Sequence, residues 1–110
     1  MLGRVRVAGH SMEPALHNGD ELLFIRSGRP PIGAVVVARD PRDDDRLVVK
    51  RVAAIEGEDL ILESDLEGHE SLLVDRRAVI GRAILRYRPI SRTSVVRARA
   101  ARRTPARGCC

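Results

Sequence analysis

The chain has 110 residues, of which 44% are hydrophobic, and this is enough for one domain with an apolar core of its own. No apolar run approaches the roughly 18–20 residues that span a membrane, and the N-terminal apolar stretch is too short and too basic for a signal peptide. We therefore expect a soluble, cytoplasmic domain without a membrane anchor.

The positive charge is concentrated at the C-terminal end of the chain. The formal net charge is +5, but residues 1–87 contain 13 basic and 15 acidic residues, whereas residues 88–110 contain seven arginines and no acid. We therefore divide the chain into a β domain over 1–89 and an Arg-rich tail over 90–110. The tail is expected to be disordered, or to form a helix over 95–103 on an acidic surface.

Other features of the chain argue against several binding functions. Few aromatic residues accompany the basic charges, so no specific nucleic-acid binding is expected. The adjacent Cys109 and Cys110 cannot staple the domain and are expected to be reduced thiols. The His and Cys residues lack metal-ligand spacing, and the acidic run at 43–45 resembles a solvated turn, so neither a metal nor another cofactor is expected.

Short apolar runs between frequent turn signals predict a mostly β fold. In chain order, strands are predicted over 3–8, 21–26, 33–39, 47–53 and 60–62. The polar turn at 40–45 predicts a hairpin between the third and fourth strands. The loop at 27–31 contains consecutive prolines, which a sheet interior excludes. Residues 78–87 are either a closing strand or a short helix that leads into one.

A constrained turn separates the first two predicted strands. Gly9 permits backbone angles that other residues resist, and Pro14 fixes φ. Ser11 lies between them, so its hydroxyl and the neighbouring N–H groups can point into a cleft. Taken alone, the pattern is more typical of an ordinary turn. His10 is a poor base for Ser11, because adjacent side chains in an extended segment point to opposite sides.

Lys50 is the only lysine among 20 basic residues, and the other 19 are arginines. Arginine stays protonated in proteins, whereas a buried lysine readily loses its proton and can act as a general base. Lys50 lies in an apolar run typical of a buried strand. Its side chain points either to a desolvated face, where it could be a base, or outward to solvent.

Together these segments resemble a known protease superfamily. The resemblance rests on two boxes, Gly9-x-Ser11-Met12-x-Pro14-x-Leu16-x-x-Gly19-Asp20 and Val49-Lys50-Arg51-Val52, which occur in the order found in the signal peptidase I and LexA-type Ser/Lys proteases (peptidase S24/S26). The sequence most resembles the small nickel-type superoxide dismutase maturation proteases. The similarity of this sequence to these proteases extends over residues 33–39 and 80–89.

The resemblance implies a coiled, partly barrel-like β fold over 1–89 and a serine endopeptidase activity. It implies that Ser11 is the nucleophile and Lys50 the general base. The oxyanion and substrate contacts would come from Gly9, Ser11 and Met12. Gly9 stands where many signal peptidases have a serine that donates a side-chain hydroxyl, so backbone donors would bind the oxyanion here.

The hydroxyl that orients the lysine is less clearly marked. The family usually carries Ser-x-Asp-Ser-Arg after the lysine strand, and this chain has Ser64-Asp65 followed by His69-Glu70-Ser71 without the arginine. We assign the orienting hydroxyl to Ser71, with Ser64 as the alternative.

Three functions follow from the resemblance. The first is removal of an N-terminal leader from a precursor protein, with nickel superoxide dismutase as the candidate substrate. The second is processing of exported proteins in the manner of a signal peptidase. The third is a non-catalytic member of the superfamily that acts as a binding domain.

Overall fold

The computed structural model describes residues 2–27, 29–66, 68, 71–89 and 93–96, except for the side chain of Asp44. Nearly all regular structure in these residues is β-strand. The strands are β1 Leu2–Arg6, β2 Glu21–Ile25, β3 Val35–Asp40, β4 Asp43–Glu56, β5 Asp59–Glu63, β6 Leu72–Asp75, β7 Val79–Arg88 and β8 Ser94–Val95. A single 3₁₀ turn, Arg76–Ala78, precedes β7.

All eight strands belong to one antiparallel sheet, whose main order is β1-β2-β7-β3-β4-β5-β6, with β8 added to β7. β3 has a central place in this order because it is a buried β-branched run that packs on both faces. The sheet is open, since among the described strands β1 pairs only with β2 and β6 only with β5. The predicted mostly β fold is confirmed.

The sheet coils around two apolar clusters rather than one. The first cluster lies under β3, β4, β5 and β6 and contains Val36, Ala38, Val48, Val52, Leu60, Leu62, Leu72 and Val74. The second lies under the loop between β1 and β2 and contains Val7, Met12, Leu16, Leu22, Val35 and Ala83. β3 therefore supplies both cores through its alternate side chains, and it fixes the loop relative to β4.

The predicted strands occur where they were expected, but several boundaries differ. The hairpin turn is shorter than 40–45, because the Asp40 carboxylate accepts the Arg42 N–H at 2.9 Å and closes the turn, so that β4 already begins at Asp43. Residues 78–87 become the end of a 3₁₀ turn followed by a strand. β6 was not predicted.

The Arg-rich tail is described only at residues 93–96. Ser94–Val95 pairs with β7, so this short piece is a strand rather than part of a disordered arm or a helix. The other residues of the tail, including Cys109 and Cys110, lie outside the described residues. Within the described part of the chain, no helix has the length and apolar character needed to cross a membrane.

Candidate active site

The Ser11 turn is the central part of a loop that is closed at its base by the backbone. The Val7 N–H donates to the Asp20 carbonyl and the Gly19 N–H donates to the Val7 carbonyl, both at 2.8 Å. Gly9 has φ +90°, which side chains resist, so glycine is required where the chain turns towards Ser11. Met12 is almost fully buried under the turn and anchors it to the second core cluster.

A buried charged pair supports the same loop from below. The Asp20 carboxylate is inaccessible to solvent, accepts the His17 N–H at 2.9 Å and lies 3.4 Å from the Arg86 guanidinium of β7. Arg86 also donates to the Ala15 carbonyl at 3.0 Å. Asp20 and Arg86 thus support the turn together, and the role of Arg86 was not predicted.

The structure brings Lys50 and Ser11 together. Lys50 Nζ lies 3.1 Å from Ser11 Oγ, a hydrogen-bonding distance, although 39 residues separate them in the chain. Lys50 is half-buried on β4, opposite Val36 of β3. Of the two orientations that the sequence left open, the side chain therefore takes the one that points into the cleft.

The hydroxyl beside Lys50 is that of Ser64, so the assignment to Ser71 is wrong in this structure. Lys50 Nζ donates to Ser64 Oγ at 2.7 Å, whereas Ser71 Oγ donates to Glu63 at 3.4 Å. The sheet register explains the difference. Arg51 is opposite Glu63 in the β4–β5 pair, so the next residue, Ser64, leaves the sheet beside Lys50. Ser71 lies next to β6, one strand further away.

Two further contacts join the Ser64 segment to β4 and to the Ser11 turn. The Arg51 guanidinium binds the Asp65 carboxylate through two hydrogen bonds of 2.8 Å and donates to the Gly33 carbonyl at 2.7 Å. Both side chains of this ion pair are largely buried. The Leu66 N–H donates to the Ser11 carbonyl at 2.8 Å. Ser64 therefore binds Lys50, Asp65 binds Arg51 and Leu66 binds Ser11. The sequence did not predict this role of residues 64–66.

The surroundings of Lys50 favour its neutral form. Burial lowers the pKa of Lys50, and the positive charges of Arg42 and Arg46 lower it further, while Asp40 acts in the opposite direction. A lower pKa means that more of the amine is unprotonated at a given pH. An unprotonated amine can accept a proton from the hydroxyl of Ser11.

The three residues expected to bind the oxyanion have different roles in the structure. The Gly9 N–H donates to Asn18 Oδ1 at 2.9 Å, so it is not free to bind an oxyanion, and this part of the expectation is wrong. The Met12 side chain belongs to the core. The Ser11 N–H has no hydrogen-bond partner among the described residues. It is therefore a donor available to a substrate.

His10, which precedes Ser11, is not positioned as its base. It is exposed, and its Nδ1 forms a hydrogen bond with Glu13 Oε2. Ser11 thus contacts Lys50 and not its neighbour in sequence. In the described part of the chain, no group of three or more His, Cys, Asp or Glu residues is arranged to hold a metal ion.

Ser11 and Lys50 open into a groove of about 120 Å³. One wall is formed by residues 5–8 and the other by residues 46–50. The first wall belongs to β1 and the residues after it, and the second to the middle of β4. An extended peptide placed between these walls would bring a backbone carbonyl to Ser11.

The sequence is similar to known proteases over most of the described domain. The family model described as signal peptidase, peptidase S26, matches residues 1–79. The chain is 39% identical over 80 residues to the mitochondrial ATP-independent inner membrane protease subunit 1a of Arabidopsis thaliana, an alignment that covers 67% of this chain and 48% of that protein.

A second similarity is to a bacterial enzyme. The chain is 38% identical over 61 residues to signal peptidase I of Streptococcus pneumoniae, which covers 56% of this chain and 29% of that protein. The chain thus spans about half or less of the length of the curated relatives it matches.

Proposed function

We propose that this chain is a serine endopeptidase in which Ser11 and Lys50 form the catalytic dyad. The chain belongs to the peptidase S26 family of signal peptidases. The observation that carries the proposal is the 3.1 Å contact between Lys50 Nζ and Ser11 Oγ. This contact pairs the only lysine of the chain with a serine on a loop whose base is closed by backbone hydrogen bonds. A Ser/Lys pair is a known variant of the Ser-His-Asp arrangement.

The reaction starts with Lys50 neutral. Its amine takes the proton of the Ser11 hydroxyl while Oγ attacks the peptide carbonyl. The N–H of Ser11 donates to the oxyanion of the tetrahedral intermediate. The lysine ammonium then gives its proton to the leaving amine, and an acyl-enzyme forms. Water, deprotonated by the same amine, hydrolyses the ester and releases Ser11.

Ser64 acts as a positioning residue in this scheme. Its hydroxyl accepts a hydrogen bond from Lys50 Nζ at 2.7 Å, which restricts the amine to the side of the groove where Ser11 lies. The Arg51–Asp65 ion pair fixes the segment that carries Ser64. The dyad thus depends on the register between β4 and β5.

The proposed substrate is a precursor protein from which an N-terminal leader is removed. The resemblance to the maturation proteases supports nickel superoxide dismutase as this precursor and the cytoplasm as the place of cleavage. The groove suits an extended segment of the substrate, because its walls carry backbone edges that can pair with a peptide.

The test is mass spectrometry of a leader-bearing nickel superoxide dismutase precursor incubated with the protein. Ser11→Ala and Lys50→Met are the inactive variants, and Ser71→Ala is the matched control, since its hydroxyl contacts Glu63 and not Lys50. Cleavage at one site that is lost in both inactive variants and kept in the control is the expected result.

Cleavage that survives Lys50→Met would refute the dyad. If no form cleaves the precursor, NMR titration of Lys50 decides between the remaining explanations. A pKa well below that of a free lysine would mean that the site is intact and the substrate is wrong. An ordinary pKa would favour the non-catalytic member of the superfamily.

A further inference from the structure

The groove beside Ser11 carries a second feature, an excess of positive charge. Its lining includes Arg6 and Arg46 in addition to Lys50, and none of the described residues that line it is acidic. The remaining lining residues are small or apolar, apart from Ser11 itself. A peptide in this groove therefore meets two cations that form no bond with the reacting atoms in the proposed reaction.

Neither cation is strongly neutralised within the described part of the chain. Arg6 is exposed, and its ion pair with Glu21 has the long separation of 4.0 Å. Arg46 is also exposed and has no ion pair with a described side chain. Its charge acts on the buried Asp40 carboxylate, but that carboxylate is already paired with Arg42. Alternation along the strand directs Asp45 to the opposite face, and the side chain of Asp44 lies outside the described part of the structure.

The two arginines stand on backbone edges that are open to a peptide. Among the described strands, β1 pairs only with β2. β4 pairs with β5 only from Arg51 onward, so no described strand covers the outer edge of residues 43–50. An extended segment can add to such an edge through main-chain hydrogen bonds, and its side chains then follow the strand in steps of two.

The spacing along β4 locates the contact relative to the cleaved bond. Arg46 and Lys50 are four residues apart and project from the same face of the strand. At about 3.3 Å per residue, their α-carbons are separated by about 13 Å. A peptide paired along β4 with its carbonyl at Ser11 therefore brings a residue about four positions from the cleaved bond to Arg46.

From this arrangement we propose that the groove selects substrates with an aspartate or glutamate about four residues from the cleaved bond, through Arg46 and Arg6. The inference rests on the proposed peptidase function and names the substrate class for it. Because exposed ion pairs contribute little individually, the expected preference is moderate, about two- to fivefold in kcat/KM for Glu over Gln. The preference should fall as salt screens the charges.

The experiment uses peptides built on a sequence that the protein cleaves, with Glu, Gln or Lys at each position three to five residues on either side of the cleaved bond. One position should show the Glu preference. The charge reversal Arg46→Glu should invert it, so that the Lys peptide is cleaved faster than the Glu peptide. Arg26→Glu is the control, since Arg26 follows the far end of β2 and does not line this groove.

The ratio between two peptides is the proper readout, because any effect of Arg46 on the reactivity of Lys50 is common to both. Equal cleavage of Glu and Gln peptides at every position, or a ratio unchanged by Arg46→Glu, would overturn the inference and leave the peptidase function intact.

If no cleaved sequence is found, peptide binding tests the groove independently of the proposed peptidase function. Fluorescence anisotropy of labelled Glu and Gln peptides on the Ser11→Ala protein then replaces cleavage. Tighter binding of the Glu peptide, lost in Ser11→Ala combined with Arg46→Glu, would support the charged groove. Equal binding would refute it.

Discussion

Ser64→Ala is the substitution that most directly tests the geometry of the site. It removes the hydroxyl that accepts a hydrogen bond from Lys50 Nζ and leaves Ser11 and Lys50 in place. Without this contact the amine can rotate away from Ser11. We expect kcat/KM to fall while the protein remains folded, because Ser64 follows β5 and its side chain contributes no core packing.

The size of the loss follows from the contact. The 2.7 Å bond between an amine and a hydroxyl is short. In the transition state the amine takes the Ser11 proton and becomes charged, and hydrogen bonds to charged groups contribute about 1.5–3 kcal/mol. Since about 1.4 kcal/mol corresponds to a factor of ten in rate, kcat/KM should fall roughly 10- to 150-fold. Ser71→Ala should change it by less than about twofold, since exposed polar contacts are worth little.

The assay is cleavage of a peptide substrate across a range of pH. A positioning role predicts a lower plateau for Ser64→Ala with little change in the midpoint, because burial and the charges of Arg42 and Arg46, and not Ser64, lower the pKa of Lys50. A Ser64→Ala enzyme with full activity would refute the reasoning. So would a Ser71→Ala enzyme that loses as much, since that result would return the orienting role to Ser71.

One titration and two substitutions test the protonation of Lys50 and the packing of the sheet. The pH profile of kcat/KM should rise through a midpoint below about 10.4, the ordinary pKa of lysine. The reason is that the neutral amine is the proposed base and that burial lowers the pKa of Lys50. A midpoint at or above that value would contradict the proposed base. Asp65→Asn should lower the free energy of unfolding, measured in urea, by roughly 3–5 kcal/mol, since it removes the charged partner of the largely buried Arg51. Arg77→Ala breaks an exposed ion pair and should change the free energy of unfolding little. Gly81→Ala should lower stability by about 1–3 kcal/mol in thermal unfolding, because its Cβ would lie 2.4 Å from the Ile25 carbonyl oxygen; an unchanged melting temperature would show that the strands can separate there.

The strands were largely predictable because local pattern decides them. A β-branched run such as residues 35–37 favours a buried strand, and Gly or Pro marks the turns beside it. The order of the strands was not predictable. β7 inserts between β2 and β3 although it comes last among the long strands, and no local feature of residues 79–88 indicates that position.

The contact between Ser11 and Lys50 could be anticipated from two unusual residues, the serine on the constrained turn and the single lysine. The rest of the site could not, because it depends on register. A register shift between Val52 and Ala54 changes which residues of β4 and β5 face each other. Counting residues from Lys50 therefore does not distinguish Ser64 from Ser71. The Arg51–Asp65 pair escaped detection for the same reason.

The arginine-rich composition has a chemical consequence at this site. Arg42 and Arg46 both lower the pKa of Lys50 through their charge. An arginine retains that charge at any pH at which the protein is folded. A lysine in either position would itself titrate near Lys50, and the two amines would share their protons. Arginines beside a single lysine therefore confine the titration to one group, and that group is the amine that contacts Ser11.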